Sequence, residues 1–167
     1  FLKKRQGVLE GVCVSGGEPL IHPQVEVLLQ SIKQLGYKVK VDTNGSFPQR
    51  LKQLVDRELV DYVAMDIKNA PEKYSQSVGL KNFDLSPVQE SVDFLLSGNI
   101  DYEFRTTVVK ELHEKEDFIS IGKWITGAKR YFLQNFVESE SIIQNGLHSY
   151  EKQELEGFQN LLKLIVP

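Results

Sequence analysis

Three acidic residues follow apolar, strand-like segments at a regular spacing. Glu18, Asp42 and Asp66 are separated by 24 residues in both steps. One strand and one helix account for such a step, and the carboxyl ends of parallel strands meet at the edge of a sheet where ligands bind. Lys68 and Arg105 add positive charge at the same edge. Acids that receive an ammonium and cations that receive a carboxylate suit a zwitterionic ligand.

The first of these acids lies in the turn Val14-Ser15-Gly16-Gly17-Glu18-Pro19-Leu20. Glycines permit positive φ and let a backbone approach a ligand closely. Their N–H and C=O groups can then pair with a ligand as the edge of a sheet does, while the proline fixes the turn. The stretch is therefore interpreted as a binding loop. The alternative is a plain strand-to-helix turn.

Hydrophobic periodicity predicts alternating strands and helices. Strands are expected at 11–15, 37–41, 62–67, 102–109 and 131–134, and helices at 23–35, 49–56, 86–97, 117–125 and 150–164. This alternation predicts an α/β fold with a parallel sheet and right-handed crossovers. The strand at 11–15 is expected to be buried, and Cys13 within it is expected to be a small buried apolar residue.

Composition narrows the function classes. The chain has 167 residues and a net charge of −3, so we expect one domain and no electrostatic attraction to nucleic acid or an anionic membrane. No apolar run reaches the length of a membrane span and no signal peptide is visible, so the cytoplasm is expected. A single cysteine excludes an internal disulfide and a cysteine-only metal site. Because the chain starts at Phe1 and its only methionine is Met65, we expect a fragment of a longer protein.

Several short motifs resemble those of one enzyme family. They are SGGEP at 15–19, DTNG at 42–45, MDIK at 65–68, YEFRTTVV at 102–109 and LQNF at 133–136. Together and in this order they resemble the radical S-adenosylmethionine (radical SAM) superfamily, in particular the activating enzymes of glycyl-radical enzymes. The last two segments are most similar to the activating proteins of anaerobic ribonucleoside-triphosphate reductase.

The resemblance implies roles for individual residues. Glu18, with the backbone of Ser15, Gly16 and Gly17, would hold the amino group of SAM, and Lys68 would contact its carboxylate. Arg105 would lie along the nucleoside side, and Gln134 is a further candidate for cofactor binding. Asp42, Thr43, Met65 (through its carbonyl) and Asp66 would form a monovalent-cation site.

One family feature is missing from the sequence. A 4Fe–4S cluster in this family is held by Cys-x-x-x-Cys-x-x-Cys, and this chain has one cysteine. The resemblance therefore implies that residues 1–167 are a fragment of a radical SAM core. The expected fold is a partial TIM-like (β/α)6 barrel that lacks its first βα unit, with the 11–15 strand at an exposed edge. Without the cluster segment this chain is expected to be inactive.

In the full-length protein, the resemblance implies that the reduced cluster cleaves SAM. The resulting 5′-deoxyadenosyl radical would take a hydrogen atom from a glycine of a partner glycyl-radical enzyme. The partner would be an anaerobic ribonucleotide reductase or pyruvate formate-lyase, and an electron donor such as flavodoxin or ferredoxin would reduce the cluster. The alternatives are a small-molecule radical SAM enzyme, such as a deazapurine carboxylate synthase, and a degenerate, cluster-free barrel that acts as a binding module.

Individual residues also have structural alternatives. Asp42 could cap the following turn, and Asp66 and Lys68 could form a surface ion pair of little energetic consequence. Arg105 could be the structural partner of Glu103. Among the three histidines, which lack metal-ligand spacing, only His22 is expected near the site.

Overall fold

Five strands and six α-helices alternate along the chain in a computed structural model that describes residues 1–137 and 146–166. The strands are β1 Gly11–Val14, β2 Lys38–Thr43, β3 Tyr62–Asp66, β4 Asp101–Val108 and β5 Tyr131–Asn135. The helices are α1 Val25–Gln34, α2 Pro48–Asp56, α3 Tyr74–Val78, α4 Ser86–Leu96, α5 Lys115–Trp124 and α6 Lys152–Leu162. Short 3-10 helices span Leu2–Arg5, Pro19–Ile21 and Pro71–Lys73.

The strands form one sheet in the order β1-β2-β3-β4-β5. The pairs β1–β2, β2–β3 and β4–β5 are parallel. Parallel neighbours require crossover connections, which the intervening helices supply. The predicted α/β class with a parallel sheet is therefore confirmed, and the strand order agrees with a partial barrel. None of the helices in the described ranges combines the length and hydrophobicity that crossing a bilayer requires.

The chain divides into two compact units. The first consists of Phe1–Met65 and Ser86–Tyr102, and the second of Asp66–Leu85 and Glu103–Pro167. In the first unit β2 shows the alternation of a half-covered strand, with Val39 and Val41 buried. Leu29 of α1 and Leu51 of α2 are also fully buried there. Burying each of these aliphatic side chains contributes roughly 1.5–3 kcal/mol.

The second unit is organised by aromatic packing and a close helix contact. Phe118 of α5 lies 4.5 Å from Phe158 of α6, measured between ring centroids. Gly122 faces Leu162 so closely that a Cβ on the glycine would lie 3.1 Å from the leucine Cδ2. The missing side chain of Gly122 therefore allows α6 to pack against α5.

The expected burial of β1 is wrong. Gly11 and Cys13 are exposed, and Val12 and Val14 are only half-buried. The physical reason is the position of β1 at the edge of the sheet, where none of the strands in the described residues covers one flank. Its short apolar sequence indicated a central strand, yet the same composition occurs here at an edge. This edge position agrees with the expectation of an exposed flank.

Helix α3 was not predicted, because its five residues are too few to show helical periodicity. Its only signals are the flanking Pro71 and Gly79, the latter with φ of 72°. In α1 the residues Val25, Leu29 and Ile32 are buried, whereas Leu28 is 49% exposed. The remaining predicted elements are present, with ends displaced by at most two residues.

Candidate functional site

The turn after β1 adopts a backbone that glycine favours. Gly16 has φ of 103° and Gly17 has φ of 51°. No other group lies within 4 Å of a Cβ built on either residue, so the glycines are required by conformation and not by crowding. Ser15 and Gly16 line a cleft of about 720 Å³, together with His22 and the outer face of α1. The predicted binding loop is thus open on its outer side.

The Glu18 carboxylate accepts three hydrogen bonds from the protein. Oε1 accepts from the Leu20 N–H at 3.0 Å and from Thr43 Oγ1 at 2.9 Å. Oε2 accepts from the Asn44 N–H at 2.6 Å. Sequence reasoning missed these contacts, which tie the turn after β1 to the end of β2. A carboxylate offers about four acceptor positions, so one remains for a further donor.

The segment 42–45 forms a tight turn at the end of β2. Asn44 Oδ1 accepts from the Ser46 N–H at 2.9 Å and Thr43 Oγ1 accepts from the Gly45 N–H at 3.1 Å, so both side chains cap backbone amides of this turn. Gly45 has φ of 77°, and a Cβ at this position would overlap the terminal methyl of Met65. Ser91 Oγ donates to the Gly45 carbonyl at 2.7 Å. This turn is therefore fixed on several sides.

Asp42 and Thr43 project to opposite faces of β2, as neighbours in a strand must. Thr43 is buried beside Glu18, whereas Asp42 shares its face with Lys40, whose Nζ lies 3.8 Å from Asp42 Oδ1. Among the described residues, no three His, Cys, Asp or Glu side chains cluster in a way that could hold a metal. This absence does not test the predicted cation site, because two of its four ligands, Thr43 and Met65, are of other residue types. The cation site therefore stays a prediction.

The second unit brings together three of the predicted site residues. Asp66 ends β3, and its Oδ1 accepts from Arg105 Nη2 at 3.1 Å and from Nε at 3.3 Å. Its Oδ2 accepts from Lys68 Nζ at 3.0 Å. The Arg105 side chain is 15% exposed and that of Lys68 is 43% exposed. We call Asp66, Lys68 and Arg105 the Asp66 cluster.

Arg105 also lies near the acid that was considered as its structural partner. Its Nη1 is 4.0 Å from Glu103 Oε1, a longer separation than that from Asp66. Gln134 lies on the same sheet face as Arg105, because Arg105 pairs with Phe132 and Thr107 pairs with Gln134. The half-exposed ring of Phe132 sits beside Arg105 in this register and was missed by the sequence analysis.

Two buried polar residues next to the Asp66 cluster were also missed. Asn69 and His113 are each 1% exposed. Burial lowers the pKa of the His113 imidazole and so favours its neutral form. Local sequence does not reveal them, because Asn69 contacts the Leu112 carbonyl 43 residues away and His113 contacts the Lys68 carbonyl 45 residues away.

Comparison with known proteins gives a family match. A family model described as the radical SAM superfamily matches residues 1–123. A candidate glycyl-radical enzyme activating enzyme of Methanocaldococcus jannaschii is 30% identical over 131 residues, which are 76% of this chain and 55% of that protein. A 7-carboxy-7-deazaguanine synthase of Thermoplasma acidophilum is 25% identical over 119 residues, 71% of this chain and 56% of that protein. The chain therefore spans about half the length of these curated relatives.

Solved structures share the fold at low sequence identity. A domain of pyruvate-formate lyase-activating enzyme from Bacteroides vulgatus superposes with a TM-score of 0.72 at 14% identity, covering 93% of this chain and 94% of that one. Streptococcus suis SuiB bound to S-adenosylmethionine gives a TM-score of 0.72 at 14% identity, covering 92% of this chain and 36% of that one. At such identities the likeness establishes the fold alone.

Proposed function

The chain belongs to the radical SAM superfamily, and we propose that it is the SAM-binding part of an enzyme that generates a glycyl radical on a partner protein. The observation that carries this proposal is the sequence similarity to a candidate glycyl-radical enzyme activating enzyme over about three quarters of the chain. The proposed partner is an anaerobic ribonucleotide reductase or pyruvate formate-lyase. The proposed electron donor is a flavodoxin or ferredoxin.

In the first unit, the proposed ligand contact is the ammonium of SAM. Glu18 supplies negative charge with one acceptor position left after its three protein hydrogen bonds. Ser15, Gly16 and Gly17 present backbone N–H and C=O groups around it, with open space where side chains would stand on the two glycines. These features fit an amino group, because a carboxylate and carbonyl oxygens are all hydrogen-bond acceptors.

In the second unit, the proposed ligand contact is the carboxylate of SAM. Lys68 Nζ is half-exposed and currently pairs with Asp66, so it can reorient towards a ligand carboxylate without crossing a packed core. Arg105 would remain on Asp66 and lie towards the nucleoside, with Gln134 on the same sheet face. We place the monovalent cation at oxygens of Asp42, Thr43, Met65 and Asp66, where it would offset negative charge.

The residues of this chain do not fit a 4Fe–4S cluster. The cluster needs three protein thiolates, and the chain has one cysteine, Cys13, on an edge strand. When bound, SAM supplies the adenosyl group used in the chemistry of this family. The chain's own residues hold and orient its amino-acid end.

A second candidate function is synthesis of a small molecule. It is favoured by the similarity to 7-carboxy-7-deazaguanine synthases, including one of Methanopyrus kandleri that is 39% identical over 59 residues. Such an enzyme would act on its substrate without a protein partner. The shared features of the proposed SAM site do not separate the two functions, because both require the same cofactor.

The test uses the complete protein that contains this sequence, purified without oxygen and mixed with SAM and a reductant. An activating enzyme gives a glycyl-radical signal in electron paramagnetic resonance only when a glycyl-radical enzyme from the same genome is added. A Glu18→Gln variant of the activating enzyme should reduce that signal, because it removes the negative charge proposed to bind the ammonium of SAM. Formation of a carboxylated deazapurine without any protein partner would instead support the second candidate.

A further inference from the structure

The segment that carries Lys68, residues 67–70, is anchored through its backbone by buried side chains from elsewhere in the second unit. Thr106 Oγ1 donates to the Ile67 carbonyl at 2.7 Å, and Tyr131 Oη donates in turn to Thr106 Oγ1 at 2.7 Å. Thr106 is fully buried. Burial raises the pKa of Tyr131, so its hydroxyl stays protonated. The first residue of the segment is thus fixed by two side chains.

Lys68 itself is held at both of its backbone polar groups. Its N–H lies 3.4 Å from Tyr74 Oη, and its carbonyl lies 2.9 Å from His113 Nε2. Burial raises the pKa of Tyr74 to about 12, so this hydroxyl is neutral near pH 7. The contact to His113 is the shorter of the two, and we treat it as the principal one.

The surroundings of His113 determine which ring nitrogen carries the proton. Nδ1 lies 3.1 Å from the Val109 nitrogen and 3.2 Å from the Val109 carbonyl oxygen, whereas Nε2 faces the Lys68 carbonyl, which can only accept. Placing the hydrogen on Nε2 satisfies this carbonyl and leaves Nδ1 with a lone pair for the Val109 N–H. In the neutral ring Nε2 then carries the hydrogen and donates it to the Lys68 carbonyl. The ring also stacks on Phe118, with centroids 5.7 Å apart. This tautomer satisfies both nitrogens in a site that is closed to water.

Asn69 adds a second connection between the loop after β3, which carries Lys68, and the loop after β4, which carries His113. Its Nδ2 donates to the Leu112 carbonyl and to Ser77 Oγ, each at 2.8 Å, and its Oδ1 accepts from the Ala70 N–H at 2.7 Å. The loop after β3 is therefore joined by two buried side chains to the loop after β4. Removing either connection would leave polar groups unsatisfied inside the protein.

We propose that His113 is the positioning residue for Lys68: its Nε2–H holds the Lys68 carbonyl, and this contact aims the lysine ammonium at the carboxylate of SAM. The inference rests on the proposed function, because it takes Lys68 as the ligand of that carboxylate. His113 does not touch SAM in this account. It acts by limiting the backbone freedom of the residue that does.

The charged groups near His113 do not supply an alternative role for it. The charge of Asp117 raises the pKa of the His113 ring and that of Lys73 lowers it. These two residues also form an ion pair, with 3.0 Å between Lys73 Nζ and Asp117 Oδ2. Tyr150 Oη donates to the backbone carbonyl of His113 and does not contact the ring nitrogens. Each ring nitrogen is therefore accounted for by a backbone group, which is the arrangement expected of a positioning residue.

The first test measures amide hydrogen exchange in residues 67–70 of this chain. His113→Phe keeps a flat ring against Phe118 and removes both nitrogens, whereas His113→Gln retains a donor and an acceptor. Leu162→Ala is the control, because it removes a buried side chain of the same unit that packs at Gly122 of α5. We expect at least tenfold faster exchange at residues 68–70 in His113→Phe, partial recovery in His113→Gln and no selective change in the control. Equal exchange in His113→Phe and the control would overturn the inference.

The second test is a double-mutant cycle on SAM affinity in the complete protein. His113→Phe should weaken SAM binding about tenfold, and His113→Gln should restore most of it. In a Lys68→Met background His113→Phe should have no further effect, because the positioned group is gone. Full additivity of the two losses would show that His113 has only a structural role.

The two hypotheses fail in different ways. If Lys68→Met leaves SAM affinity unchanged, the role given to Lys68 in the proposed function is wrong, whatever the exchange results. If Lys68→Met weakens binding while His113→Phe does not, the proposed function stands and the positioning role of His113 is wrong. Nuclear magnetic resonance of the His113 ring adds an independent check, since a proton found on Nδ1 would contradict the assigned tautomer.

Discussion

The Glu18 turn and the Asp66 cluster hold their charges in different ways. Glu18 is bound by two backbone amides and one hydroxyl, with no cation among these three donors. Asp66 is bound by two cationic side chains, and the outer one, Lys68, is 43% exposed. Backbone donors cannot move away when a ligand binds, whereas a half-exposed lysine can exchange one carboxylate for another. The first region is therefore a fixed receptor, and the second contains an exchangeable pair.

The turn at residues 42–45 should be the most sensitive part of the fixed receptor. Gly45→Ala places a Cβ against Met65 and forces an alanine into positive φ. We expect a loss of about 3 kcal/mol or more in unfolding free energy, measured by urea denaturation. Gly36→Ala is the matched control, because Gly36 has φ of 85° and open space around it. Similar losses in the two variants would show that Met65 crowding has no effect.

Glu18→Gln should also destabilise this region, because it alters the carboxylate that joins the two turns. The amide can accept only through its oxygen, so its NH₂ group meets a backbone N–H donor in either orientation, that of Leu20 or that of Asn44. We expect a loss of about 2 kcal/mol in unfolding free energy, together with weaker SAM binding in the complete protein. A variant with unchanged stability would contradict the claim that Glu18 joins the two turns.

His113 should make the stability of the second unit depend on pH. Burial lowers the pKa of its ring below the ordinary 6.5, so the folded protein binds fewer protons than the unfolded chain. The stability that the neutral His113 ring contributes is fully present above about pH 6.5 and is lost as pH decreases. The unfolding free energy then changes with a limiting slope of about 1.4 kcal/mol per pH unit. Urea denaturation between about pH 7.5 and 5.5 should show this slope in the parent chain and not in His113→Gln. Parallel pH profiles would contradict it.

Asp66→Asn should have the smallest effect on stability. The pairs of Asp66 with Lys68 and Arg105 are partly exposed, and such pairs contribute about 1 kcal/mol or less. Urea denaturation at low and high salt should show a small difference that decreases with salt. A loss as large as that of Glu18→Gln would remove the contrast between the two regions.

Sequence reasoning predicted the parallel α/β fold and placed Asp66 beside Lys68, because both follow from local periodicity and strand geometry. It was wrong about the burial of Cys13, because position within a sheet is decided by distant strands. It also missed the protein contacts of Glu18, which join residues 25 and 26 positions apart. Buried polar partners such as His113 depend on loop packing that no local pattern encodes.

The most direct test compares SAM with decarboxylated SAM, which keeps the ammonium and lacks the carboxylate. Isothermal titration would be performed on the complete protein and on its Glu18→Gln and Lys68→Met variants. We predict that Glu18→Gln weakens the binding of both ligands about tenfold or more, whereas Lys68→Met weakens the binding of SAM alone. Equal weakening of both ligands by Lys68→Met would contradict the assignment of the ammonium to one region and the carboxylate to the other.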